Sequence, residues 1–230
     1  MAAFIRGLVR SETSLLGNYW QDMMRCILYI FLPIATIFAL VLVSQGVIQN
    51  FKPYQSVATL ENQEIIQQIP MGPVASMVAI KQLGTNGGGF FATNAAHPFE
   101  NPNYITNYLE MLAIIIIPAA LCYTFGILVN DRRQGLLLLA AMLIIFIPLS
   151  LVSMYAEQNG NPLLQNAQIK NIGNMEGKEQ RIGAAYSGLW GAAATATANG
   201  SANYMFDSAM PISGFVYMIF MDITKVFFTL

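Results

Sequence analysis

Charge is what this sequence has least of. Only 10% of its 230 residues are Asp, Glu, Lys or Arg, against roughly 25% in ordinary soluble domains, while 55% are hydrophobic. Such a chain cannot cover itself with a solvated surface, and it belongs in a membrane. A formal net charge of −1 and the absence of any basic tract give no footprint for nucleic acid. The two cysteines, Cys26 and Cys122, each lie inside an apolar stretch. They supply neither a disulfide framework nor a metal site and read as packing residues. His97 is the single histidine, with no Cys or acidic cluster at ligand spacing around it. A hydrogen bond within the turn Pro98-Phe99-Glu100-Asn101-Pro102 is its expected role, with a metal or proton role as the alternative. No catalytic triad or phosphate-binding signature is present, and the apolar core near Met1 is too short for a secretory signal.

Long runs without charge supply the framework. Residues 26–43, continuing uncharged to Phe51, residues 111–130 and residues 136–155 each provide the ~20 apolar residues that a membrane-spanning helix needs. Pro33 predicts a kink in the first. Residues 212–230 form a further apolar segment interrupted by Asp222 and Lys225. At i, i+3 these either pair on one face or mark the arrival of the helix at the interface. Residues 52–71, with Pro53, Glu61 and Glu64, read as a solvated loop, as do residues 156–182, with Lys170, Glu176, Lys178, Glu179 and Arg181. Arg6, Arg10 and Arg25 precede the first span, and Arg132 and Arg133 separate the second from the third. They fall on one side of the membrane, which the positive-inside rule assigns to the cytoplasm.

Between the first two spans lies a stretch that suits neither a span nor a soluble loop: Leu83-Gly84-Thr85-Asn86-Gly87-Gly88-Gly89-Phe90-Phe91. Its glycines allow left-handed backbone and close approach to a ligand. Residues 73–81 predict a short helix with Pro73 at its first position. The negative dipole end of that helix would face the glycines and favour a cation. The rival reading is a phosphate cradle. It fits poorly, because a P-loop has Lys and then Ser or Thr directly after its last glycine, whereas Phe90 and Phe91 follow here and Lys81 lies on the wrong side. Lys81 either repels cations beside the loop or, the favoured reading, hydrogen-bonds the last carbonyls of the short helix.

A second stretch repeats the pattern faintly. Residues 183–198 are uncharged and rich in Gly, Ala, Ser and Thr around Trp190, a composition suited to burial among helices. They lead into Ala198-Asn199-Gly200-Ser201. In both stretches a proline, Pro98 or Pro211, follows eleven residues after the glycine of an Asn-Gly pair. Asp207 either attracts a cation or, like Ser208, caps the following helix. The chain thus reads as an all-α membrane protein of span–pore loop–span repeats. Residues 1–130 form one repeat, with a pore loop at about 72–96, and residues 131–230 the other, with a pore loop at about 183–206.

Several of these motifs carry a family resemblance: Met71-Gly72-Pro73-Val74-Ala75-Ser76, the run from Gly84 to Phe91, His97-Pro98-Phe99-Glu100-Asn101-Pro102, Asp131-Arg132-Arg133-Gln134-Gly135 and Asn174-Met175-Glu176-Gly177-Lys178-Glu179. Together they resemble the KdpA family, the potassium-binding subunit of the bacterial potassium-transporting P-type ATPase, over essentially the whole chain. The resemblance implies the fold of the superfamily of potassium transporters, in which four span–pore–span repeats surround a filter of backbone carbonyls as in potassium channels. This chain would be an internal fragment holding about the second and third repeats, without the first and fourth pore loops or the cytoplasmic gate.

Carried over residue by residue, the filter positions are Thr85, Asn86, Gly87 and Gly88 in one loop and Ala198, Asn199 and Gly200 in the other. Their main-chain oxygens would replace part of the hydration shell of K+. K+ is the implied transported ion, with no organic cofactor and no other metal. The chain itself would be non-catalytic, with ATP hydrolysis in a separate KdpB-like subunit and with KdpC-like and KdpF-like subunits and membrane lipid as further partners. The implied location is the bacterial inner membrane, multi-pass, with the pore loops facing outside. Three residues of the second loop depart from the family pattern. Ala198-Asn199 stands where a small hydroxyl or Cys pair is common, and Phe206 where His is usual. Backbone ligation tolerates these changes, but they and the missing repeats motivate an alternative, a non-conducting membrane scaffold or assembly protein that keeps the fold. Gly87→Asp is expected to put a side chain into the filter and weaken K+-stimulated ATP hydrolysis.

Overall fold

The computed structural model describes residues 2–9, 16–61, 64, 66–162 and 173–227, with side chains as far as Ile223. The fold is mainly helical. In chain order it comprises α1 (Ala2–Val9), α2 (Tyr19–Ser44), β1 (Gln55–Ala58), β2 (Ile66–Ile69), α3 (Val74–Leu83), α4 (Tyr104–Leu128), α5 (Arg132–Asn159), α6 (Ala184–Ala196) and α7 (Pro211–Phe227). Helices α2, α4 and α5, of 26, 25 and 28 residues, are long and apolar enough to cross a membrane. Each starts before its charge-free run because a polar cap, not the first apolar residue, sets the helix terminus. The Asn18 side chain accepts from Trp20 N and Gln21 N, Asn103 and Thr106 form a reciprocal capping box, and Asp131 accepts from Arg133 N.

The expected disturbance at Pro33 takes the form of a π-helical turn over Ile27–Phe31. Proline has no N–H to give, and its ring crowds the carbonyl four residues back. The widened turn, in which Leu32 N–H reaches Ile27 O, accommodates that gap without ending the helix.

Two segments read as solvated loops are more ordered than that. Within residues 52–71, β1 and β2 pair as an exposed antiparallel hairpin with Gln55 opposite Ile69 and Ala58 opposite Ile66. Residues 156–182 are corrected further. Helix α5 runs to Asn159, and residues 173–182 are bound into the protein, with the side chains of Lys178 and Glu157 fully buried against each other. A buried carboxylate draws in the cation that neutralises it, which overrides the polar composition of the segment. Lys170 and Arg10 lie outside the described residues, as does the side chain of Lys225, and with it the expected pairing with Asp222.

The core is built around α6. Small residues let most of it be buried, as its composition predicts, with Tyr186 in the first turn left exposed. One face sets Trp190, Ala193 and Ala194 against Met111, Ile114 and Ala95. Another sets Ala192 and Ala196 against Tyr204, Val216, Tyr217 and Phe220. A second cluster joins α3 to α2 through Val74, Ala75, Val78, Ala79 and Leu42. Helices α4 and α5 form a hairpin that closes tightly at Gly135, where a Cβ would lie 2.6 Å from Cys122 O and 3.0 Å from the Gly126 Cα. The outcome is two short helices, α3 and α6, whose carboxyl ends open into the two loops singled out from sequence.

Candidate functional site

The two loops leave their helices by the same backbone path. Thr85 and Ala198 have left-handed φ values of 50° and 53°. Asn86 N donates to Lys81 O at 3.0 Å, and Asn199 N to Ala194 O at 2.9 Å. Thr85 N donates to Gln82 O at 3.3 Å, and Ala198 N to Thr195 O at 3.4 Å. Each correspondence spans 113 positions. Both are Schellman turns, but with Thr and Ala where glycine is usual, at a cost of roughly 1–2 kcal/mol each. Strain of this kind at two matched positions marks a conformation that the surroundings impose. The likeness ends at the glycines, since Gly87 is left-handed (φ 76°) and Gly200 is not.

The loops also touch. A Cβ on Gly87 would collide with the main-chain carbon and Cα of Gly200 and lie 2.5 Å from Ser201 N, so only glycine permits this approach. Gln82 binds the loops together from behind. Its Nε2 donates to Glu110 Oε2 at 2.8 Å and to Ser201 Oγ at 3.2 Å, and its Oε1 accepts from Asn199 Nδ2 at 3.2 Å. Asn199 Oδ1 in turn accepts from Ser201 N at 2.7 Å, and Trp190 Nε1 donates to Ser201 O at 3.2 Å. Gln82, Glu110 and Ser201 are wholly buried. Outside this network the loop surface is open: Gly84, Asn86, Gly88, Ala198 and Gly200 are exposed, with Thr85 and Gly87 half-buried. Of the seven candidate positions, Gly87, Gly200, Asn86 and Asn199 are thus brought together. Thr85 and Ala198 set the turns, and a Cβ on Gly88 would meet nothing within 4 Å.

The loop rim is held by charge. Lys81 pairs with the buried carboxylate of Glu100, which corrects the expectation that its ammonium binds the end of α3. Those terminal carbonyls are already taken by Thr85 N and Asn86 N, leaving Lys81 free for Glu100. Glu100 Oε1 also accepts from Phe91 N at 3.0 Å. His97 has the structural role expected of it: Nδ1 accepts from Phe99 N at 3.2 Å, and the ring stacks on Phe91 at 4.1 Å. Burial pushes the His97 imidazole below its ordinary range, with Glu100 opposing. The start of α7 is anchored by Glu157, whose Oε1 accepts from Met210 N at 2.8 Å, a role the sequence had offered to Asp207 or Ser208. Gln82, Glu110 and Glu157 were missed. A signal was available for Gln82 and Glu110, long polar side chains in otherwise apolar helical sequence, but not for Glu157, which opens a polar stretch.

Helices α3 and α6 both direct their carboxyl ends, and so the negative ends of their dipoles, into the loops. The arrangement therefore offers exposed main chain, partial negative charge and no cationic side chain unneutralised at Lys81, which suits a desolvated cation better than an anion.

Comparison with known proteins agrees. The family model described as KdpA, potassium-transporting ATPase A subunit, matches residues 1–229. A Herpetosiphon aurantiacus protein named potassium-transporting ATPase potassium-binding subunit is 47% identical over 242 residues, covering 99% of this chain and 42% of that protein. Proteins of the same name from Mycobacterium tuberculosis and Solidesulfovibrio magneticus are 51% and 49% identical, covering 98% and 97% of this chain and 40% and 41% of theirs. The chain spans about two fifths of the length of these curated relatives. By the extent of the family match and the level of identity, this chain belongs to the KdpA family.

Proposed function

We propose that this chain is the potassium-selecting part of a potassium-transporting ATPase. Main-chain oxygens of Thr85, Asn86, Gly87 and Gly88 in one loop and of Ala198, Asn199 and Gly200 in the other replace part of the hydration shell of K+ arriving from outside the cell. The observation that carries this reading is the matched pair of turns 113 residues apart, meeting main chain to main chain at Gly87 and Gly200. A carbonyl filter needs a repeated main-chain arrangement, and side-chain chemistry is secondary to it.

On this reading residues 1–130 and 131–230 are two span–pore–span units, with Arg6, Arg25, Arg132 and Arg133 on the cytoplasmic side of the bacterial inner membrane. The chain is non-catalytic. A separate KdpB-like P-type subunit hydrolyses ATP, and KdpC-like and KdpF-like subunits complete the complex. The non-conducting alternative rested in part on Ala198-Asn199 and Phe206. Ala198 holds the same turn as Thr85, which favours the transporting reading.

Gly88→Asp tests it in the assembled ATPase containing this chain. Asp tolerates left-handed backbone, and the site has room, whereas Gly87→Asp would also break the contact between the loops. The half-saturating K+ concentration for ATP hydrolysis should rise on the order of tenfold, about 1.4 kcal/mol of binding. Unchanged half-saturation together with an unchanged preference for K+ over Na+ would refute the assignment.

A further inference from the structure

We infer that residues 173–182 form a clamp that sets the spacing of the two loops, with Lys178 and Arg181 as positioning residues for ion selection; this rests on the filter reading above. The clamp has two anchors. At the first, Lys178 Nζ lies 3.0 Å from Glu157 Oε2, both side chains fully buried, and 4.5 Å above the ring of Tyr204. Asn174 Nδ2 donates at 2.8 Å both to Glu157 Oε2 and to Ser208 O. The main chain joins as well, with Lys178 bridged to Tyr204 and Met205 N donating to Gly177 O at 3.0 Å. Residues 204–208 follow directly on the second loop.

The second anchor lies three residues on. Arg181 Nη2 donates to Ala96 O, and Arg181 Nε to Asn101 O at 3.1 Å. Both carbonyls follow the first loop. One short segment thus grips the chain downstream of each candidate filter stretch. A buried ion pair gives little net stability over an apolar replacement, but it fixes geometry when its remaining hydrogen-bonding capacity is filled. The capacity of Glu157 is filled by Lys178, Asn174 and Met210 N. Selection by main-chain oxygens depends on the distances between them, so a link that fixes loop spacing acts on ion preference.

The test measures ATP hydrolysis by the assembled ATPase containing this chain against K+, Rb+ and Na+ concentration. Arg181→Gln alters a partly exposed site. Lys178→Met combined with Glu157→Gln removes both buried charges and leaves no lone one behind. Each should raise half-saturating K+ and narrow the K+ to Rb+ preference by about tenfold, the scale of one lost charge-assisted hydrogen bond, with the maximal rate nearly unchanged. Arg181→Lys should restore part of the preference. A lower maximal rate with unaltered half-saturation and preference overturns the clamp, as does an equal shift for every ion. If the double variant does not assemble, Arg181→Gln decides by the same criteria. A wild-type complex indifferent to K+ overturns the filter reading and the clamp with it.

Discussion

The contact between the two loops can be tested with the smallest possible perturbation, one methyl group. Gly87 and Gly88 are adjacent, and both are left-handed, with φ of 76° and 82°. An alanine at either must adopt a backbone that costs roughly 1–2 kcal/mol, offset by about 0.4–1 kcal/mol from a less flexible unfolded chain. There the likeness stops. The methyl of Gly88→Ala meets nothing within 4 Å, whereas that of Gly87→Ala strikes the main chain of Gly200 and Ser201. Main chain cannot rotate away, and Ser201 N is already held by Asn199 Oδ1 at 2.7 Å. Overpacking of this kind adds ~1–3 kcal/mol. Gly88→Ala should therefore cost about 1 kcal/mol and Gly87→Ala about 2–4 kcal/mol, with losses in melting temperature of about 2–4 °C per kcal/mol for a chain of this size. Tryptophan fluorescence reports the event locally, because Trp190 is buried and donates to Ser201 O while the other tryptophan, Trp20, is exposed and replaceable by Phe. Equal losses for the two variants, or an unshifted Trp190 signal in Gly87→Ala, would show that the loops do not meet at this point.

Gln82→Leu should be among the most damaging single changes near the loops. It leaves Glu110, Asn199 and Ser201 without their shared partner, at about 1–3 kcal/mol for each buried group. Denaturant or thermal unfolding in detergent measures it, and a loss below about 1 kcal/mol would contradict the network. Gly135→Ala should force α4 and α5 apart, since its methyl meets Cys122 O at 2.6 Å, and cost ~1–3 kcal/mol; a melting temperature equal to wild type would count against the tight hairpin. The effect of His97 on stability should depend on pH. Its folded value lies below the ordinary 6.5 because burial disfavours the charged ring. Its contribution to stability is therefore present above pH 6.5 and is lost as pH falls toward the depressed folded value, where the unfolded chain alone takes up the proton. As His97 is the only histidine, the difference in melting temperature between wild type and His97→Gln should shrink on acidification from pH 7 to pH 5; a constant difference would refute the shift.

Composition and run length made the spans legible, because an uncharged run of about twenty residues has few alternatives. Their starting points were less so. Asn18, Asn103 and Asp131 cap helices that begin in polar sequence, and a search for apolar runs passes over such first turns. The burial of α6 was legible from its small residues, and the faint repeat from two Asn-Gly pairs and two prolines. Contacts distant in the chain were not. Glu157 and Lys178 are 21 positions apart in a polar stretch, and nothing local says that both will be buried. Lys81 was misassigned for a similar reason. Taken as the last residue of a short helix, it was set on the terminal carbonyls, but α3 runs on to Leu83, and Glu100, the partner of Lys81, lies 19 positions away.

The turn that Thr85 and Ala198 share bears on how the two loops can differ in sequence yet take the same backbone path. Thr85 and Ala198 share no side-chain chemistry, nor do Lys81 and Ala194, whose carbonyls accept the matched hydrogen bonds. What the positions share is main chain. Around them the surroundings diverge: the first loop has Lys81, Gln82 and Glu100 as supports, while the second rests on Trp190, Asn199 and Ser201 within a bed of alanines. If selection lay in side chains, such divergence would change the site from one loop to the next. If it lies in main-chain oxygens, each loop need only be forced into the same turn, and unrelated supports can do that equally well. The departures at Ala198 and Phe206 then bear on how the second loop is held, not on what its main chain offers to an ion.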